Sequence, residues 1–373
     1  MKIQEIRCPN CKSSKIIKKG IRKCRFFNAQ KFYCKLCNIN FTDKKLENTS
    51  YSAKIIMNAI NNYNFGMTLE ESSKEINKRF KVRTYPGLIS SWLKKFESIC
   101  SFMRIRQSEL KDFKDCVLLK KEFFHKQPYT LYYHEIKGKK FLNNYFSCLR
   151  VYILDIIEKC PDELFNEDGL RCSQLKYFDK NEVYTLRKEN YACRVADFAL
   201  KAISNNYERH EFVENFLLFN DTATFAVEIP IWLYPDEVPS ELKDIFSIDK
   251  PLTGHIDILQ ARYGSIYILD FKPDAKKVNA VSQLFAYTVA LSARTGIWMR
   301  NFKCAWFDNK DYFEFSPGEI VLEELCKRGN NDPGILRKYY FDEQARHYYT
   351  SKWFHEMQSK REGNQVNKWG GGR

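Results

Sequence analysis

Two aspartates, Asp257 and Asp270, and a lysine two residues after the second, Lys272, are the side chains of this chain best suited to chemistry. They lie in GHIDILQARYGSIYILDFKP, where the acids end or interrupt apolar runs. Carboxylates in such runs are costly to bury unless they pair or bind a cation. Two of them beside an ammonium can hold a divalent metal at a phosphodiester and set a lysine beside the attacking water. Residues two apart on a strand share a face, so Asp270 and Lys272 are neighbours and Phe271 points away. Downstream, SQLFAY adds Gln283 and Tyr287, one helical turn apart. A lone Asp-x-Lys is usually a salt bridge on a solvent face. The second acid, the glycine before it, Gln283 and Tyr287 argue against that reading here.

A second set of reactive side chains opens the chain. Cys8-Pro9-Asn10-Cys11 and Cys34-Lys35-Leu36-Cys37 form two CxxC turns, each of which aims two thiolates at one point and together complete a tetrahedral zinc shell. Cys24 has no CxxC partner and reads as a spare core thiol. Residues 1–50 carry 13 Lys and Arg against 3 Asp and Glu, in a chain whose net charge is +15. A compact basic module of this kind is an electrostatic footprint for a polyanion, most often nucleic acid. No apolar run approaches the roughly 18–20 residues of a membrane span, and the N-terminus lacks a secretory apolar stretch. These features predict a soluble, intracellular protein, cytoplasmic or nucleoid-associated, with no membrane partner.

The elements that must position these residues follow from spacing. SAKIIMNAINN has helical periodicity, and Thr68 with Glu71 reads as a capping box opening LEESSKEINKRF. GLISSWLKKFESI is a further amphipathic helix. A helix, a short turn and a basic, Ser-rich second helix suggest a helix-turn-helix, with Arg83, Thr84, Ser90, Ser91 and Lys94 as its DNA face; a plain helical bundle is the competing reading. In the aromatic stretch that follows, His125, Lys126 and Gln127 are open between nucleic-acid contact and core. Cys148, Cys160 and Cys172 read as buried thiols. Ala192 to Phe219 is helical with a break near Asn205-Asn206. Thr224 to Leu233 is a strand, and His255–Ala261 and Ile266–Phe271 form a hairpin. Lys276 to Arg294 is helical and Phe302 to Phe307 a last strand.

Residues 6–42 resemble the zinc ribbon that opens many insertion-sequence transposases, where a helix-turn-helix commonly follows. The later motifs resemble the PD-(D/E)XK nuclease superfamily and, within it, the RecB-like branch that includes CRISPR adaptation nucleases. GHID matches GxxD, DFK matches (D/E)xK and QLFAY matches QxxxY. The resemblance implies an αβββαβ restriction-endonuclease-like core. In it Asp257, Asp270, Lys272, Gln283 and Tyr287 would be catalytic, and Mg²⁺ or Mn²⁺ would sit on Asp257, Asp270 and the Phe271 carbonyl. His210 on the preceding helix would be a further ligand, with Glu211, Glu214 and Glu228 as alternatives. The iron–sulfur cysteine set of the CRISPR members is not matched, since only Cys304 and Cys326 follow the core. His255 is open between DNA contact and a structural role.

The fold expected is therefore α+β or α/β. A zinc ribbon (1–45) and a helical DNA-binding module (50–104) lead through a helical, aromatic connection (105–190) to the nuclease core (191–318) and a basic extension (319–373). The function expected is a Mg²⁺- or Mn²⁺-dependent deoxyribonuclease with structural Zn²⁺ and DNA as partner, linked to a mobile element or virus, with a homodimer left open. The competing readings are a non-catalytic DNA-binding regulator on a decayed nuclease core and a RecB-like repair exonuclease.

Overall fold

The computed structural model describes residues 6–339 apart from 24–27, 43–45, 47–48, 103–117, 168, 181–182, 184, 204–207 and 330–331. Cys24, the expected helix break at Asn205-Asn206 and most of the basic C-terminal extension thus lie outside the described residues. In chain order, strands β1 (Ile16–Lys23), β2 (Asn28–Cys34) and β3 (Asn40–Thr42) precede helices α1 (Ala53–Asn64), α2 (Leu69–Phe80) and α3 (Pro86–Lys95). Strands β4 (Leu118–Phe124) and β5 (Pro128–His134) lead to helices α4 (Glu135–Phe141), α5 (Ser147–Lys159) and α6 (Asp162–Asn166). Short strands β6 (Leu170–Arg171) and β7 (Leu186–Arg187) are followed by α7 (Tyr191–Leu200) and α8 (Arg209–Asn220). Then come β8 (Thr224–Leu233), β9 (Leu252–Arg262), β10 (Ser265–Phe271), α9 (Val281–Thr295), β11 (Phe302–Phe307), β12 (Tyr312–Phe315), α10 (Pro317–Lys327) and α11 (Pro333–Leu336). The chain is mixed α+β. No helix among the described residues is long and apolar enough to cross a membrane.

The chain divides into two compact units, each built from non-consecutive segments. One comprises residues 1–119, 189–224 and 307–312. Its ribbon pairs β1 with β2 and β2 with β3, all antiparallel. Its helices start and stop where side chains dictate. The Thr68 hydroxyl accepts from the Glu71 N–H at 3.1 Å while the Glu71 carboxylate accepts from the Thr68 N–H at 2.7 Å, closing the capping box. Lys81, in the left-handed region at φ 52°, ends α2, and Pro86 sits in the first turn of α3. Ile56, Ile60, Ile76, Ile89 and Leu93 are buried where the three helices meet. Each such burial is worth about 1.5–3 kcal/mol, which matters more for helices this short than propensity does. Helices α7 and α8 belong to the same unit: Phe198 packs on Phe96 at 4.8 Å, and Asn220 bonds to Asn61 and Asn64.

The other unit (120–188, 225–306 and 313–373) is organised on one sheet of order β4-β5-β8-β9-β10-β11-β12-β7, with β6 alongside β9. β5–β8 and β9–β10 are antiparallel and β6–β9 parallel, so the sheet is mixed. Every residue of β10 is buried, as a central strand covered on both faces must be, which is why it reads as an almost unbroken apolar run. Helix α9 is buried along nearly its whole length and packs against β10. Gly296, at φ 71°, ends it with a left-handed cap.

Candidate functional site

The turn between β9 and β10 decides the geometry of the two acids. Tyr263 (φ 49°) and Gly264 (φ 72°) both sit in the left-handed region, which is what a two-residue hairpin loop of the primed type requires. This loop pairs Arg262 with Ser265, Ala261 with Ile266, Gln260 with Tyr267, and so on to Ile258 with Leu269. The paired run stops at Ile258 and Leu269, so Asp257 and Asp270 are the next residues on the two strands, and their carboxyl groups interact. The Phe271 N–H donates to Asp257 Oδ2 at 3.1 Å, which fixes the first carboxylate against the second strand.

Like charges directly opposite on paired strands are destabilising, and here the conflict is deepened by burial. Asp270 is fully buried, and neither of its carboxylate oxygens receives a well-aligned hydrogen bond. Lys272 Nζ lies 2.9 Å from Asp270 Oδ2, an ion pair with a quarter of the lysine side chain exposed. Burial, and after it the neighbouring Asp257, holds the Asp270 carboxyl well above the usual range, and Lys272 opposes this only in part. One ammonium against two carboxylates leaves room for a further positive charge. Oxygen donors of this kind are the ones hard divalent cations take.

Helix α9 brings the remaining motif residues to the same unit. The Gln283 side-chain amide donates to the Tyr287 hydroxyl at 2.9 Å, and Tyr287 is buried. Gly254 explains its own presence: a Cβ there would lie 2.6 Å from the Tyr287 ring and 3.1 Å from Cys172 Sγ. The glycine of GHID and the tyrosine of QLFAY are therefore two sides of one close approach. Cys172, buried as expected, is the partner that sequence reasoning did not connect to the motif. Cys148 and Cys160, by contrast, are half-exposed rather than buried. Glu228 stands in the middle of β8 at φ 53°, a conformation costing a non-glycine residue about 1 kcal/mol or more and usually kept for a reason. Pro230 two residues later removes a ladder donor.

In the unit that contains α8, His210 and Glu214 share one helix face, with Nδ1 4.0 Å from Oε1. Glu214 is buried, His210 half-buried and Glu211 exposed. The four ribbon thiols converge: Cys8 and Cys37 are 3.4 Å apart, Cys11 and Cys34 3.5 Å. The two CxxC turns repeat one backbone pattern. Cys8 N–H donates to Ser13 and accepts from Lys12 at its carbonyl, as Cys34 does with Ile39 and Asn38; Lys12 and Asn38 both have φ 58°. The backbone N–H groups of Cys11 and Cys37 draw the Cys8 thiol down to about 6 and lower that of Cys34. Such a cluster could hold a structural metal such as zinc.

The expectation for Thr84 needs correction. Thr84 is not on an exposed DNA face: it is buried, its N–H and hydroxyl both donate to Asn77 Oδ1 at 2.6 and 2.9 Å, and its hydroxyl lies 3.1 Å from that of Ser73. It latches the turn to α2. Arg83, Ser90, Ser91 and Lys94 are exposed. For His125 the structure takes the core alternative: it is wholly buried, with Nδ1 2.8 Å from His255 Nε2 and Nε2 2.9 Å from Asp162 Oδ1. Lys126 and Gln127 beside it are exposed. His255 is itself buried and stacked on Tyr129 at 3.7 Å, a structural setting. Comparison with protein-family models, with curated proteins and with solved structures returns no match to this chain.

Proposed function

We propose that the chain is a divalent-cation-dependent nuclease that hydrolyses phosphodiester bonds in DNA, of PD-(D/E)XK type. The observation that carries the reading is the fully buried Asp270 carboxyl group, beside Asp257 and 2.9 Å from Lys272 Nζ. Asp257, Asp270 and the Phe271 carbonyl would hold Mg²⁺ or Mn²⁺, which when bound neutralises charge at the scissile phosphate and acidifies water. Lys272 orients the attacking water and complements the charge that develops on the phosphate. Tyr287, held by Gln283 and seated against Gly254, keeps this group of side chains in place. The sequence resemblance alone would add His210 as a further ligand. The ribbon, with zinc on its four thiols, and the exposed Arg83, Ser90, Ser91 and Lys94 bind the DNA backbone and deliver it.

The test is cleavage of supercoiled and single-stranded DNA with Mg²⁺ or Mn²⁺ by the wild type, Asp270→Asn and Lys272→Ala. Each substitution is expected to lower the rate by about 10²-fold or more. Equal cleavage by all three proteins would refute the site. DNA binding without cleavage under every metal and substrate tried would favour a non-catalytic regulator.

A further inference from the structure

A second group of potential ligands lies away from both the ribbon and the acid pair, in the unit built on the large sheet. His125 follows β4 at the turn into β5, Cys160 caps the C-terminus of α5, and Asp162 opens α6. One donor atom from each, an imidazole nitrogen, the thiol sulfur and a carboxylate oxygen, all lie within 4.8 Å of one another. This is the spacing that ligands around one tetrahedral ion require, given metal–ligand distances of about 2.0–2.3 Å.

The frame around the three donors is rigid. The Asn166 side chain accepts from the Lys126 N–H at 2.8 Å and donates to the Phe124 and Asp162 carbonyls at 3.0 Å, tying the β4–β5 turn to α6. The His125 ring is stacked on Phe165, with centroids 4.0 Å apart and planes inclined by 12°. Its far nitrogen, Nδ1, is 2.8 Å from His255 Nε2. With the proton on Nδ1 donated to His255, the Nε2 lone pair faces Asp162 and Cys160. That is how metal-bound histidines are commonly oriented, by a partner on the other ring nitrogen.

We infer that His125, Cys160 and Asp162 form a second transition-metal site, taking a borderline divalent cation of the zinc class. A thiolate and a carboxylate beside a neutral imidazole supply two negative charges, matching the dication. Thiolate sulfur with imidazole nitrogen selects zinc over magnesium or calcium. Asp162 has more than half of its side chain exposed, so the fourth position opens to water. Lys121 and Arg171 act on the cluster from nearby without supplying a ligand. The site grips β9 through His255, two residues before Asp257 on the same strand. It does not depend on the nuclease reading.

The full chain, loaded with zinc and desalted under reducing conditions, is expected to retain two zinc ions, one on the ribbon and one here. Cys160→Ser and His125→Gln should each lose one equivalent, and Asp270→Asn none. Because His125 is buried and its variant could misfold, the wild type provides a second reading. Mass mapping after alkylation should find Cys160 protected in the zinc-loaded protein and modified once a chelator is added. A stoichiometry unchanged by Cys160→Ser, or equal labelling of Cys160 with and without chelator, would overturn the site. Asp162, His125 and His255 would then be a metal-free hydrogen-bonded chain. Zinc content is read without any cleavage assay, so failure here and failure of the nuclease reading remain distinct.

Discussion

Asp270 is held against its own electrostatics. Its folded pKa is raised above the unfolded value, so its contribution to stability is present below the unfolded carboxylate range of about 4 and is lost as pH rises. Asp270→Asn removes the charge and keeps the shape. In the absence of divalent cations it should be more stable than wild type at pH 8 by on the order of 1 kcal/mol, with the gap closing toward pH 4. Urea denaturation at both pH values checks this, and a less stable variant at pH 8 would contradict it. The buried histidines run the other way. Burial pushes His255 down to about 3 and lowers His134 and His125. Below about pH 6.5 the unfolded chain binds protons that the folded one refuses, so stability falls as pH drops from about 6.5 toward 3. His255 alone should cost about 2 kcal/mol between pH 7 and pH 5. His255→Gln should flatten that part of the loss, and an unchanged pH dependence would show that the ring is not the source.

At the level of elements, the β9–β10 hairpin and the seat of α9 rest on two glycines with different duties. Gly264 has open space around it but φ 72°, so Gly264→Ala meets only backbone strain, about 1 kcal/mol. Gly254→Ala instead drives a methyl to 2.6 Å from the Tyr287 ring, displacing it at a cost of about 1–3 kcal/mol. If Tyr287 steadies the site as proposed, Gly254→Ala should lose cleavage out of proportion to its stability, whereas Gly264→Ala should not. Thermal denaturation beside cleavage rates separates the two, and parallel losses would remove the packing of glycine on tyrosine from the mechanism. The hairpin was legible because ARYGSIY carries both the turn residues and the alternation that set its register. The capping box of α2 was legible for the same reason, being local. Thr84 was misplaced because its type and position suit a DNA face equally well. Only the packing of α2 against α3 shows that Asn77 and Ser73 claim it.

Across the whole molecule the charge is concentrated where the ribbon strands are most exposed. Lys18, Lys19 and Lys23 on β1 are all solvent-facing. Their replacement by Gln should weaken DNA binding with little sequence preference and lower the slope of log affinity against log salt by about 0.9 for each phosphate no longer neutralised. Fluorescence anisotropy across a salt series measures this, and an unchanged slope would take the ribbon out of DNA binding.

From its sequence alone the chain determined its two CxxC turns, the capping box of α2 and the β9–β10 hairpin that brings Asp257 near Asp270. All of these follow from residues near one another in the chain. Tertiary structure alone decided that 189–224 joins the unit of the N-terminal helices. It also decided that Gly254 exists to admit Tyr287, and that His125, Cys160 and Asp162 meet at one point. Those meetings join segments tens of residues apart, and neither periodicity nor spacing carries information over that distance. Only the packing of buried surfaces selects among the many pairings the sequence would allow.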